Sequence, residues 1–189
     1  MQLIETPLPG VRLLQPKVFR DERGFFLETY NRDRLAELGI PDEFVQDNHS
    51  KSVKGTLRGL HFQRTFQQAK LCRVVEGAVF DVAVDVRPGS SHFGQWFGAV
   101  LSEENQQQIY VPRGFAHGFL VLSDTAQFLY KCSDFYHPED EGGVLWNDPG
   151  IGIEWPFTEH NIEAPILSAK DGRNPRLSEL SEGMLPARQ

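Results

Sequence analysis

Apolar positions along this chain recur mostly at every second residue and seldom with the three-to-four spacing of a helix. Within residues 79–86, Phe80, Val82, Val84 and Val86 fall on one side and Val79, Asp81, Ala83 and Asp85 on the other. That alternation predicts a half-buried strand, with the aspartates on its outer face. Phe115, His117, Phe119 and Val121 share one face of a second run, and Phe128, Tyr130 and Cys132 share one face of a third. Phe26, Glu28 and Tyr30 alternate with Phe25, Leu27 and Thr29. Strands are also expected over 96–101 and 109–111, separated by a polar turn, and residues 2–20 read as extended pieces broken by Pro7, Pro9, Gly10 and Pro16.

Helical signals are few. Asn31 can cap a helix that carries Leu35 and Leu38 on one side, Gly39 can end it, and Pro41 blocks its continuation. Ser168, with Asp171 three positions on, can open a last short helix. Residues 137–156 are turn-rich, and the polar segment 181–189 is expected to fray. Many short strands, few helices and no βαβ rhythm predict an all-β sandwich or barrel. Neither a repeat nor a linker divides residues 1–189, so a single domain is expected.

Composition narrows the function classes. The 189 residues are 40% hydrophobic, enough for a core, and carry a net charge of -7. An acidic chain lacks the basic face of a nucleic-acid binder, although a nucleotide ligand needs only a few placed Arg or Lys side chains. No apolar run is long enough to span a membrane, and the first ten residues lack the charged and apolar regions of a secretory signal. A cytoplasmic protein with two reduced thiols, Cys72 and Cys132, is the expectation.

One stretch does not read as core. Residues 47–63 place Asn48, His49, Lys51, Lys54, Arg58, His61 and Gln63 in a strand-like segment interrupted by Gly55, Thr56 and Gly59. Such a density of titratable and amide groups predicts the lining of a polar cleft. H-x-H, H-E-x-x-H and C-x-x-C are absent, so no local metal cluster is encoded. His61 and His117 would make a facial triad only with a distant carboxylate such as Asp81 or Glu141. A metal-free acid–base set fits better: His61 as base, because imidazole titrates near neutral pH, and Tyr130 as acid. Lys70 can steady negative charge on a substrate oxygen, and Asp171 can orient the His61 ring. Spacing alone does not choose among these. The ordinary reading of His117 is a hydrogen-bonded core histidine, that of Tyr130 a phenol on a carbonyl, and that of Arg23 and Glu28 solvent-facing charges.

The runs QDNHSKSVKGTLRGLHFQ, GAVFDVAVDVRPGS, PRGFAHGFLVLSD, FLYK and LSAKD resemble the dTDP-4-dehydrorhamnose 3,5-epimerase family, in order, from about Gln2 to Leu180. That resemblance implies a jelly-roll β-barrel of the cupin class, usually a homodimer, with no metal or organic cofactor. The run from Pro112 to His117 is similar to the second cupin motif, whereas the first motif's H-x-H is replaced by L-H-F-Q. The implied reaction inverts C3 and C5 of dTDP-4-dehydro-6-deoxyglucose. It makes His61 the base, Asp171 its partner, Tyr130 the acid and Lys70 the neighbour of the enolate oxygen. It assigns Arg58, Lys170 and Arg23 to the pyrophosphate and nearby groups. It places Gln46, Asp47, Asn48, Glu28, His117 and Glu141 against the ligand and stacks Tyr136 on thymine. N-terminal strands would cross to the partner subunit, taking Arg23 and Glu28 to the neighbouring site.

Two features depart from the pattern or strain it. The segment FQRTFQQA between His61 and Lys70 is one residue shorter than the family's proline-bearing stretch. Arg58 and His61, three apart, would face opposite ways on a regular strand, so a bulge at Gly59 is expected if both line one cleft. Two other classes remain open on the residues: a metal-dependent cupin oxygenase and a non-catalytic sugar-nucleotide binder.

Overall fold

A computed structural model describes residues 1–187. Thirteen strands are present among them: β1 Gln2–Ile4, β2 Arg12–Gln15, β3 Val18–Asp21, β4 Gly24–Leu27, β5 Gln46–Val53, β6 Leu57–Gln63, β7 Lys70–Glu76, β8 Ala78–Asp85, β9 Trp96–Ser102, β10 Gln108–Val111, β11 Phe115–Val121, β12 Thr125–Cys132 and β13 Glu141–Gly143. A six-stranded sheet runs β1-β2-β10-β7-β12-β5, a five-stranded sheet β13-β6-β11-β8-β9, and β3 pairs only with β4. The ladders are antiparallel. The two larger sheets face each other as a jelly roll whose barrel is not closed.

The one α-helix among the described residues, α1 Arg32–Glu37, starts where the sequence marks it: Asn31 Oδ1 accepts from the Arg34 N–H at 3.2 Å. Its Leu35 is buried with Ile40, Leu71 and Tyr110 against the six-stranded sheet. The expected last helix is a single 3-10 turn, Asp171–Arg173, and the Ser168 hydroxyl still accepts from the Asp171 N–H at 3.1 Å.

Strand β8 corrects the expectation of a half-buried strand. It lies between β11 and β9, and both of its faces are covered. Val79 and Ala83 join Cys72, Val74, Phe115, Phe119 and Phe128 between the sheets. Val82, Val84 and Val86 pack on the other side with Leu60, Val144, Ile151 and Leu177, because residues 144–185 wrap that face. Asp81 and Asp85 are therefore fully buried rather than solvated. The carboxyl-terminal segment is likewise docked where fraying was expected. Leu185 is buried, and the Ala187 N–H donates to Arg64 O at 2.8 Å. Arg188 and Gln189 lie outside the described residues.

The bulge at Gly59 is present. His61 stands opposite His117 and Arg58 opposite Phe119, so three steps along β6 match two along β11. Gly59 has φ +130°, and a Cβ there would sit 2.6 Å from Gly118 Cα. Only glycine meets both demands. The bulge turns Arg58 and His61 toward one cleft.

Candidate active site

Strands from both sheets and one loop converge on a cleft at the open end of the jelly roll. β6 supplies Arg58 and His61, β7 Lys70, β11 His117, β12 Tyr130 and β13 Glu141, while the segment that leads into the 3-10 turn Asp171–Arg173 brings Ser168, Lys170 and Asp171. The cavity is about 400 Å3 and adjoins a second lobe of about 310 Å3 that adds Gln46, Gln63, Gln68 and Tyr136. A hollow of about 740 Å3 elsewhere is larger, but its charges are already matched. Arg87 pairs with Asp85 at 2.6 Å, and Asp42 holds both Arg113 and the Tyr110 hydroxyl.

His61 Nε2 lies 2.5 Å from Asp171 Oδ1. The carboxylate fixes the ring through Nε2 and leaves Nδ1 outside that bond. Burial pushes the Asp171 pKa upward, but the hydrogen bond to His61, that ring's charge, Ser168 and nearby Lys170 outweigh it, and the net pKa falls below the ordinary value. Glu141 behaves alike: burial raises it, while bonds from Lys170 and the Tyr136 hydroxyl bring it below the usual range. Tyr130 is pushed up to about 12, first by burial and then by the nearby thiols Cys132 and Cys72, against an opposing pull from Arg58. Its phenol is therefore a protonated donor at neutral pH. Lys70 Nζ stands 5.9 Å from the Tyr130 ring centre. Arg58 is steadied by Ser52 Oγ, which accepts from Nε at 3.3 Å and from Nη2 at 3.2 Å.

The shortened segment before Lys70 is held from three sides. Asp140 Oδ2 accepts the N–H groups of Thr65 and Phe66 at 2.8 and 2.9 Å, Phe66 stacks on His137 at 4.0 Å, and Gln67 Nε2 donates to Ala187 O at 2.7 Å. Lys70 then pairs in register with Val111 and Cys132, which turns its side chain into the cleft.

Three expected residues lie outside this cleft. Asp47 points to the other face of β5, where strand alternation sends it, and bonds Lys131 at 2.9 Å. It lines a separate outer hollow with Thr29, Arg73 and Gln108. Arg23 sits at the β3–β4 tip against Asp21, and Glu28 bonds Arg34 and Asn31. The facial triad weighed from sequence is not assembled either. Among the described residues, the grouping with three converging ligand atoms is Cys72, Asp81 and His117, without His61 or Glu141. His117 proves to be a buried histidine with Nε2 at 2.9 and 3.0 Å from the two Asp81 oxygens. Neither that partnership nor the support of Arg58 by Ser52 was read from sequence. Two aspartates in a valine-rich run were the available signal for the first.

A jelly roll whose cleft gathers an imidazole–carboxylate pair, a protonated phenol and an ammonium has the composition of a proton-transfer enzyme of the cupin-like class. Comparison with known proteins agrees. The family model for dTDP-4-dehydrorhamnose 3,5-epimerase matches residues 5–179. The dTDP-4-dehydrorhamnose 3,5-epimerases of Salmonella typhimurium and Escherichia coli are 56% and 54% identical over 95% of this chain, covering 97% and 96% of their own lengths. The crystal structure of the dTDP-6-deoxy-D-glucose-3,5-epimerase of Legionella pneumophila in complex with dTDP-4-keto-L-rhamnose is 49% identical. It covers 100% of this chain and 98% of its own, with a TM-score of 0.94. This chain belongs to the dTDP-4-dehydrorhamnose 3,5-epimerase family.

Proposed function

We propose that the chain inverts C3 and C5 of dTDP-4-dehydro-6-deoxy-D-glucose, giving dTDP-4-dehydro-L-rhamnose, by acid–base catalysis from its own side chains. The observation that carries this reading is the 2.5 Å bond between His61 and Asp171 in a cleft that also holds Tyr130 and Lys70. The C4 ketone acidifies the C–H bonds on either side. His61 takes one of those protons, the electron pair moves onto the ketone oxygen, and Lys70 faces the enolate that forms. Tyr130 delivers its proton to the opposite face of the same carbon. Each inversion leaves an imidazolium and a phenolate, so a proton must travel back through solvent before the second carbon reacts.

Binding falls to the residues around this set. Arg58 and Lys170 supply positive charge for the pyrophosphate, Gln46, Asn48, His117 and Glu141 contact the ligand, and Tyr136 offers its ring to thymine. The β3–β4 hairpin exposes Phe19, Phe25 and Phe26, the last 70% accessible. We place this apolar surface against a second copy in a cytoplasmic homodimer, with Arg23 and Glu28 serving the partner's cleft and Asp47 following from the same outer face.

Proton NMR of the protein with dTDP-4-dehydro-6-deoxyglucose in deuterated water tests the reaction, with a downstream reductase trapping the product. Deuterium at both C3 and C5 with inverted configuration is the expected result. Exchange at one carbon would reassign the chain to single epimerisation, and no exchange at either would refute the role of His61.

A further inference from the structure

Tyr136 lies on an irregular loop between β12 and the 3-10 turn Pro138–Asp140, and it is 49% exposed. Packing therefore does not fix the direction of its ring; hydrogen bonds do. Gln63, at the end of β6 and buried, reaches both peptide groups that flank Tyr136. Its Nε2 donates to Phe135 O at 3.2 Å, and its Oε1 accepts from the His137 N–H at 2.6 Å. Nε2 also donates to Phe66 O at 2.5 Å, on the facing segment 64–68. Gln68 Nε2 joins the same two segments through Asp134 O at 2.8 Å. Tyr136 itself donates its N–H to Gln46 Oε1 at 3.1 Å and its hydroxyl to Glu141 Oε2 at 2.9 Å.

We infer that Gln63 is the positioning residue for the nucleoside end of the cleft, acting on the ligand through Tyr136. The inference rests on the reading that Tyr136 stacks on thymine. A carboxamide suits the task because it carries two N–H donors and an acceptor oxygen in one plane, and both donors and the oxygen are used here. A carboxylate in its place would face two carbonyl oxygens, and an apolar side chain would leave three main-chain groups without this partner in a buried position. With both flanking peptide groups tied, the Cα–Cβ bond of Tyr136 keeps one direction. The ring then stands in place before the ligand arrives, and less ordering cost falls on binding. Gln63 is two residues beyond His61 on β6, and β13 pairs with both, Gly143 opposite His61 and Glu141 opposite Gln63. The strand that carries the proton-abstracting imidazole thus also sets the ring that grips the nucleotide.

Calorimetry on the full chain with two probes, dTDP and inorganic pyrophosphate, tests this. Tyr136→Ala should weaken dTDP binding by roughly 5–150-fold, the range for losing one base–aromatic stack, and leave pyrophosphate binding as it was. Gln63→Met keeps the length but loses the amide, and Gln63→Glu keeps an acceptor oxygen. Each should weaken dTDP binding by about tenfold, inside that range, again without touching pyrophosphate. In turnover KM should rise by a similar factor while kcat changes little. Added to Tyr136→Ala, Gln63→Met should weaken dTDP binding no further, because the ring it positions is gone. Equal weakening of dTDP and pyrophosphate, a fall in kcat with KM unchanged, or full additivity of the two substitutions would overturn the inference. So would unchanged dTDP affinity in both Gln63 variants beside a loss in Tyr136→Ala. Unchanged dTDP affinity in Tyr136→Ala would instead overturn the stacking on thymine beneath it.

Discussion

Two histidine–carboxylate pairs stand side by side in this molecule, and they differ in surroundings rather than in chemistry. His61 and His117 face each other across β6 and β11. His61 is bonded to Asp171 from a loop at the cleft rim, and its side chain is 29% accessible. His117 is bonded to Asp81 from the adjacent strand β8, and its side chain is 7% accessible. The open pair can exchange protons with a ligand and with water. The enclosed pair has a thiol and the Phe128 ring beside it, and of its two members His117 alone borders the cleft. A hydrogen-bonded imidazole is thus open to proton exchange or held as a buried tie between strands according to whether its ring reaches solvent.

Removing each ring should separate the two pairs. His61→Ala is expected to lower turnover by roughly 10³–10⁴-fold, the upper part of the range for positioned acid–base groups, while dTDP affinity by calorimetry stays within a few fold. Comparable losses in affinity and turnover would mean that His61 only binds. For His117→Ala the larger effect should be on folding, about 3–5 kcal/mol in urea denaturation, because Asp81 is left as a buried carboxylate without its donor. His61→Ala should cost much less, since water reaches that site. Equal stability losses in the two variants would erase the contrast.

Asp171→Asn comes next in size. It keeps the volume beside His61 but removes the charge that stabilises the protonated ring, and roughly a 10²-fold fall in kcat is expected with little change in KM. A change confined to KM would make Asp171 a ligand contact instead.

The legibility of this contrast from sequence was uneven, for physical reasons. Period-two alternation gave the strands and the sandwich or barrel class, because a strand's faces are written residue by residue. The bulge was legible too: Arg58 and His61 cannot share a face without an extra step, and Gly59 was the residue able to take it. Strand alternation could not say that β8 lies in the middle of its sheet. Both faces of a central strand are covered by segments distant in sequence, so Asp81 and Asp85 looked like surface charges. The docking of residues 181–187 was hidden for the same reason. Leu185 is one apolar residue in a polar tail, and its contacts come from other parts of the chain. The acid–base roles came from the family's motifs, since an isolated His61 or Tyr130 carries no mark of the cleft it faces.

Acid pH offers the finest probe of the open pair. The Asp171 carboxyl is held below its ordinary value in the folded chain by its hydrogen bond to His61, despite a burial penalty that acts the other way. A carboxylate depressed on folding binds fewer protons in the native state than in the unfolded one at mildly acidic pH. Its contribution to stability is therefore complete above the unfolded pKa and is lost as pH falls through the folded pKa. The wild-type chain should lose stability from about pH 5 downward, and part of that slope belongs to Asp171. In Asp171→Asn the slope of unfolding free energy against pH should be shallower over that window, while the two curves run parallel at neutral pH. Glu141, also depressed and bonded to Lys170 and Tyr136, adds to the acid slope of both proteins and so cancels from the comparison. Identical acid slopes would show that the His61–Asp171 bond adds no stability of its own, leaving orientation of the ring as its whole purpose.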